Sequence, residues 1–526
     1  MNRRECLLSA TSALLVAAPG AKAVLATSVS AEVDPANLSA REIIQAYQSR
    51  SLSPVAHMEH ILKRIEVLNP RLNAFFFTDP EGARAAAAES ERRWAAGRPI
   101  GPLDGLPFAA KDTILTKGMP SPEGLTVNRD MPPGDRDAPP IARLREAGAI
   151  LVGKNTQPEL ASLATTISGL YGIGRNPWDL AKTPGGSSGG SGAAVAADMV
   201  SLSIGGDAGG SIRIPAAYCG VVGIKASAGR IPRYPPTKPY SVTGPIVRRA
   251  SDLPFIMNVL TKPDASDPYA LPYDGVDYSR RQPDLLKGKR IAFTDWFGYG
   301  LRTTHGVAAA FHRAIDRFGG LGATLIPIDA PFDHDPFDKM APMFAAAARQ
   351  NALAKTGGRL DTLLPVLQAW FEEGKNVTPE EMQIGVAEQK AMVERIDRLM
   401  EEFDFLLTPT SPITPDEADL AFPREVKLHR VSPTLDRECG RPSGPRGIEG
   451  RCRLGDQHSG RFSMVPFTFP FNYSGHPAIS LPCGFANNLP VGLQVVGRKL
   501  DDFGCVSAAV ALEEALAMKF VPPLVG

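Results

Sequence analysis

Neither sign of charge dominates this sequence: 57 lysines and arginines stand against 56 aspartates and glutamates. Without a positive surplus there is nothing to drive the counterion release behind non-specific nucleic-acid binding, so a nucleic-acid partner is not expected. The short basic run at residues 441–453 reads as a solvated loop. Cysteine is sparse, six in 526 residues, so disulfides cannot be the main support of the fold. Cys439 and Cys452 share one Gly-, Pro- and Arg-rich segment, where a bridge and two free thiols are both open readings. No C-x-x-C or H-E-x-x-H spacing occurs, so neither a metal nor another cofactor is called for. Beyond the N-terminus no stretch reaches the ~18 uninterrupted apolar residues of a bilayer span.

What is present is material for a large core: 43% of the residues are hydrophobic and 21% charged. That balance excludes a disordered chain. The length suggests one large α/β domain over 32–526, with 330–460 as a cap or lid insertion. Residues 1–31 read as an export signal and short tail. Arg3-Arg4, an apolar stretch and Ala21-Lys22-Ala23 give the pattern, with cleavage near 23–31. The paired arginines resemble a twin-arginine signal, which implies a periplasmic protein; a cytoplasmic tail is the alternative.

Along the chain, Leu38, Ser39, Glu42 and Ile43 have the form of a staple and capping box opening a helix to about Arg50. Ser53-Pro54 opens a second helix, with Val55, Met58, Leu62 and Ile65 on one face and an end near Asn69-Pro70. Apolar runs at 106–110 and 149–152, separated by a helical stretch at 140–147, have the rhythm of strands and crossovers in a buried, largely parallel sheet. Further strands are expected at 290–293, 323–328, 477–481 and 491–496, and helices at 304–318, 382–403 and 503–515. Residues 415–457 are long, polar and rich in Pro, Gly and Arg, as lids and binding loops are.

Residues 184–223 are rich in glycine and serine yet carry apolar residues throughout, so the small side chains serve close backbone packing. Here lie Gly185-Gly186-Ser187-Ser188-Gly189-Gly190-Ser191 and Gly206-Asp207-Ala208-Gly209-Gly210-Ser211-Ile212-Arg213. Acyl transfer needs a nucleophile, a base and donors for the oxyanion. Gly209 and Gly210 let successive N–H groups turn toward one point beside the Ser211 hydroxyl. No histidine lies near either serine cluster. Lys111 interrupts the apolar run Leu106-Pro107-Phe108-Ala109-Ala110, where burial lowers its pKa and lets it act as a base. A lysine reaching water at a strand end is the competing reading. Gly186-x-Ser188-x-Gly190 also fits a nucleophile elbow, with a histidine such as His476 as partner. A phosphate loop fits less well, because Ser191-Gly192 follows where Lys-Ser or Lys-Thr is needed.

Together, Gly105 to Asp112, Gly185 to Ser191 and Asp207 to Pro215 resemble the amidase signature family. The likeness continues through Leu151-Val152-Gly153-Lys154-Asn155-Thr156, Arg175-Asn176-Pro177-Trp178, Gly220-Val221-Val222-Gly223-Ile224-Lys225 and Pro477-Ala478-Ile479-Ser480-Leu481-Pro482. The resemblance implies a large twisted mixed β-sheet with helices on both faces and helical cap and loop insertions. It implies Ser211 as nucleophile, Ser187 as a bridging serine joined by a cis peptide, and Lys111 as base. The N–H groups of Ala208, Gly209, Gly210 and Ser211 would hold the oxyanion, with Ser188, Asp207 and Arg213 in support. Gly206 departs from the threonine that relatives often carry. By position, Ala161, Ala164 and Thr165 are expected at the substrate entrance, with room for a bulky apolar acyl or aryl group.

The implied activity is hydrolysis of a small amide, anilide or carbamate by a monomer or homodimer. Two rivals keep the fold: the A-type component of a glutamine-dependent amidotransferase, and a periplasmic binding protein without catalysis.

Overall fold

The computed structural model describes residues 33–36, 38–236, 240–280, 282, 284–421 and 464–524. The export signal, the Cys439–Cys452 pair, the 441–453 basic run and most of the polar loop lie outside the described residues. Among the described residues an 11-stranded sheet runs through the molecule. In spatial order its strands are Phe75–Thr78, Ile150–Asn155, Pro107–Lys111, Leu202–Asp207, Val242–Val247, Val222–Lys225, Ala478–Ala486, Leu489–Gly497, Phe405–Pro409, Arg290–Phe293 and Thr324–Pro327. The sheet is mixed. Pro107–Lys111 runs parallel to both neighbours, and parallel pairing returns among the last three strands, while the centre is antiparallel.

Successive strand residues point to opposite faces, and the core divides accordingly. Phe108 and Ala110 join a cluster with Ile43, Ile141, Leu144, Ile256, Phe311 and Leu512, from five helices. Ala109 between them joins Met58, Ile61, Ala83, Val195 and Ala216, from four helices on the other face. Three more helices, Phe337–Thr356, Pro365–Glu373 and Pro379–Glu402, lie within the segment expected to be a cap. Leu363, Leu367 and Phe371 pack there on Leu125, Leu163 and Ile167. No helix among the described residues is long and apolar enough to cross a membrane.

The helix Ala40–Ser49 carries the expected Ser39–Glu42 capping box. The helix Pro54–Leu72 runs past its expected end and holds Pro70 in its last turn. The carbonyl left without a donor is that of exposed Glu66. Asn69 secures the exit, its Oδ1 accepting the N–H groups of Ala74 and Phe75 at 2.9 and 2.8 Å. The strand Val242–Val247 lies outside the expected strands. Gly244 is there because the Ile224 carbonyl oxygen lies 2.3 Å from the place a Cβ would take.

Candidate active site

Lys111 ends the strand Pro107–Lys111 and is only 1% exposed. Its Nζ donates to Ser187 Oγ at 2.6 Å. Burial pushes the Lys111 amine down to about 7, against the pull of the Asp207 and Asp112 carboxylates and with help from Arg233. A lysine reaching water is therefore not what the fold holds. Ser187 is itself buried, and the Gly186–Ser187 peptide is cis. A Cβ at Gly186 would sit 2.5 Å from the Thr165 carbonyl oxygen and 2.6 Å from that of Leu163, so only glycine fits against this segment.

The two serine clusters meet through the backbone: the Ser188 N–H donates to the Ser211 carbonyl at 3.1 Å. Ser188 is fully buried, and its hydroxyl is engaged with the Gly206 carbonyl at 3.2 Å and the Gly206 N–H at 3.3 Å. Ser211 is half-buried, and its hydroxyl has no partner among the described residues. His476 bonds Ser474 Oγ through Nδ1 at 2.9 Å, and burial lowers it to about 3. The Ser188–His476 arrangement is absent among the described residues.

The loop before Ser211 is built around one ion pair. Asp207 Oδ1 accepts the Gly210 N–H at 2.7 Å, and Oδ2 accepts that of Ile212 at 3.2 Å. Of the four N–H groups expected to face an oxyanion, that of Gly210 is thus turned onto Asp207, while those of Ala208, Gly209 and Ser211 have no partner among the described residues. Gly210 has φ +128°, and a Cβ there would meet Thr468 Oγ1 at 2.4 Å. Thr468 Oγ1 donates to the Gly209 carbonyl at 2.6 Å.

Arg213 is fully buried and bridges the loop to the C-terminal part of the chain. Its guanidinium reaches both Asp207 oxygens at 3.0 and 2.9 Å, the Thr468 carbonyl at 2.9 Å, Gln494 Oε1 at 2.7 Å and Asn472 Oδ1 at 2.6 Å. Burial raises Asp207, but Arg213, Asn472 and the Gly210 N–H outweigh it and hold the carboxyl well below its ordinary range. A buried pair so fully hydrogen-bonded fixes the loop that presents Ser211.

At the expected entrance, Leu160 and Ala161 both have left-handed backbones, φ 54° and 55°. Ala164 is half-buried between two small apolar clusters, one holding Ile214 and the other Leu301, Ile413 and Met464. Thr165 is buried and backs Gly186 through its carbonyl. Beyond Pro415 the chain runs beside residues 181–183: Thr183 N–H donates to Asp416, and Ala418 N–H to Ala181, at 2.9 and 2.8 Å.

A sequence model of the amidase family matches residues 56–430 and 455–506. The chain belongs to the amidase signature family. Among amidase signature relatives, the A-type component of the glutamyl-tRNA(Gln) amidotransferase from Anaeromyxobacter sp. (strain K) is 33% identical over 92% of this chain and 98% of its own. Its counterpart in Chloroflexus aggregans is 32% identical over 87% and 92%. A bacterial aryl acylamidase of the family superposes with TM-score 0.78 and 27% identity over 93% of this chain and 98% of its own. A 6-aminohexanoate cyclic dimer hydrolase gives 0.77 and 26% over 93% and 99%.

The signature motifs are local in sequence, but much of what supports them is not. Thr468, Asn472 and Gln494 lie more than 250 residues beyond Asp207 and Arg213, in runs that read only as apolar. Asp112 was visible beside Lys111 without a task of its own.

Proposed function

We propose that this chain is an amidase that hydrolyses a small amide-type C–N bond through an acyl-enzyme on Ser211. The observation that carries the reading is the 2.6 Å contact of a fully buried Lys111 Nζ with Ser187 Oγ. A neutral Lys111 takes the Ser187 proton as Ser187 Oγ takes that of Ser211. The Ser211 oxygen attacks the carbonyl carbon, and the N–H groups of Ala208, Gly209 and Ser211 receive the oxyanion. Collapse breaks the C–N bond while the proton returns through Ser187 to the leaving nitrogen. Water then attacks the ester, gives one proton to the relay, and leaves a carboxylic acid and free Ser211.

The half-buried Ala164 and its apolar neighbours favour a bulky acyl or aryl group beside Ser211. Ala164→Trp is expected to alter the ranking of a chromogenic anilide, alkyl amide and carbamate panel; an unchanged ranking contradicts the placement. The same reading puts the protein in the periplasm, its signal removed, with the 330–460 segment capping the site. Cell fractionation and N-terminal sequencing of the mature chain test the location.

A second reading is favoured by the curated relatives: the chain matches these amidotransferase components over nearly their whole length. An amidase of this kind hydrolyses its substrate alone, whereas an amidotransferase component needs partner proteins to use the ammonia it releases. Turnover of a panel amide by the purified single chain supports the first reading. Inactivity that is relieved only by a co-purifying partner supports the second.

A further inference from the structure

Asp112 follows Lys111 directly, is fully buried, and has no task in the mechanism above. Its carboxylate is a meeting point. Oδ1 accepts the Glu123 N–H at 3.0 Å, and Oδ2 accepts both the Gly124 N–H and the Tyr171 hydroxyl at 2.7 Å. Glu123 and Gly124 are both left-handed, φ 58° and 72°, so their successive N–H groups turn toward one point. That is an anion-binding nest, and the Asp112 side chain fills it.

The groups holding Asp112 belong to the entrance. The Glu123 carbonyl accepts the Leu160 N–H at 2.9 Å, and the Glu123 carboxylate pairs with Lys355 of the helix Phe337–Thr356. Tyr171 sits in the turn joining the short strands Ile167–Ser168 and Gly172–Ile173, stacked on Phe76 with ring centroids 4.5 Å apart. The segment between Leu160 and this hairpin is the one that backs Gly186.

We infer that Asp112 is a positioning residue for Lys111: a buried carboxylate next to it in the chain, held by the 121–124 turn and the entrance hairpin, that tunes the readiness of Lys111 to take a proton. The inference rests on the proposed role of Lys111 as base. The charged groups acting on Lys111 are Asp207 from the strand Leu202–Asp207, Asp112, and Arg233 from the loop before Val242–Val247. Burial raises the Asp112 carboxyl to about 6, against the pull of Lys154 from the adjacent strand and the hydrogen bonds from the Tyr171 hydroxyl and the Glu123 N–H, so Asp112 is charged where Lys111 titrates near 7. Lys154 itself donates to the Ile114 carbonyl, Thr116 Oγ1 and Ser121 Oγ.

The signs follow from Coulomb's law. Asp112⁻ favours the Lys111 ammonium, so removing its charge keeps Lys111 neutral to lower pH. Loss of the Tyr171 hydroxyl disfavours ionised Asp112, which acts in the same direction and more weakly.

The test is the rate at which a serine-directed phosphonate modifies Ser211, followed from acid to mildly alkaline pH in the full chain. In the wild type the rate rises through a limb near the Lys111 value of about 7. Asp112→Asn is expected to move that limb to lower pH by about one unit, and Tyr171→Phe to move it the same way by less. A purely structural role for Asp112 lowers the plateau without moving the limb. Unmoved limbs, or limbs moved upward, with the adduct still on Ser211, overturn the inference and leave the proposed function standing. If Asp112→Asn fails to fold, Tyr171→Phe, which loses only one hydroxyl, decides alone. A wild-type chain that forms no Ser211 adduct overturns the proposed function and this inference with it.

Discussion

Replacing Lys111 with methionine removes the proposed base and, by the same physics, is expected to stabilise the fold at neutral pH. Burial lowers the amine from 10.5 to about 7. The unfolded chain holds this proton below the higher value and the folded chain only below the lower one. Between them the unfolded state binds more protons, so stability falls as pH falls. The gap corresponds to about 5 kcal/mol of destabilisation, nearly all present at pH 7. Methionine keeps the volume and has no charge to desolvate, but it leaves Ser187 Oγ without its partner, at a cost of about 1–3 kcal/mol. The net gain is then about 2–4 kcal/mol at pH 7. Near pH ~9.5 the lysine cost has shrunk to about 1 kcal/mol and the gain disappears. Urea midpoints of both chains at the two pH values, with equal slopes, measure the difference directly. A methionine variant that is less stable at both, or a difference that does not change with pH, refutes a buried and depressed Lys111.

Gly186→Ala places a methyl group against the carbonyls of Leu163 and Thr165, and is expected to cost about 3 kcal/mol or more in urea midpoint and to abolish activity. Arg213→Lys loses the fork onto Asp207, Asn472 and Gln494, with an expected loss of about 3–5 kcal/mol in denaturant unfolding. Thr468→Val keeps the shape but frees the Gly209 carbonyl; kcat is expected to fall about tenfold with KM nearly unchanged, because the donors are misaligned only in the transition state. Dialysis against a chelator is expected to leave the rate of amide hydrolysis unchanged, and a loss restored by a divalent ion contradicts a lysine–serine relay.

The candidate site was legible where it is local. Lys111 inside an apolar run, and glycines flanking Ser187 and Ser211, each state a physical requirement within a few residues. The Ser39–Glu42 capping box was legible for the same reason. Pro70 misled because a proline in a final turn sacrifices a carbonyl that water can satisfy. The strand Val242–Val247 carried no expectation, and its Gly244 answers a close approach by Ile224 across the sheet. Thr468, Asn472 and Gln494 gave no local signal, since their role is set by Arg213 reaching them across the fold. The Asp112 nest needs φ > 0 at Glu123, where sequence offers only the following glycine as a hint.

The most direct measurement is to trap the acyl-enzyme position. Wild type, Lys111→Ala, Ser187→Ala and Ser211→Ala are incubated with a serine-directed phosphonate, and the adduct is located by peptide mass spectrometry. The expected result is an adduct on Ser211, absent in Ser211→Ala and formed about 10³-fold or more slowly when Lys111 or Ser187 is removed. An adduct on Ser188, or none in a folded wild-type chain, contradicts it.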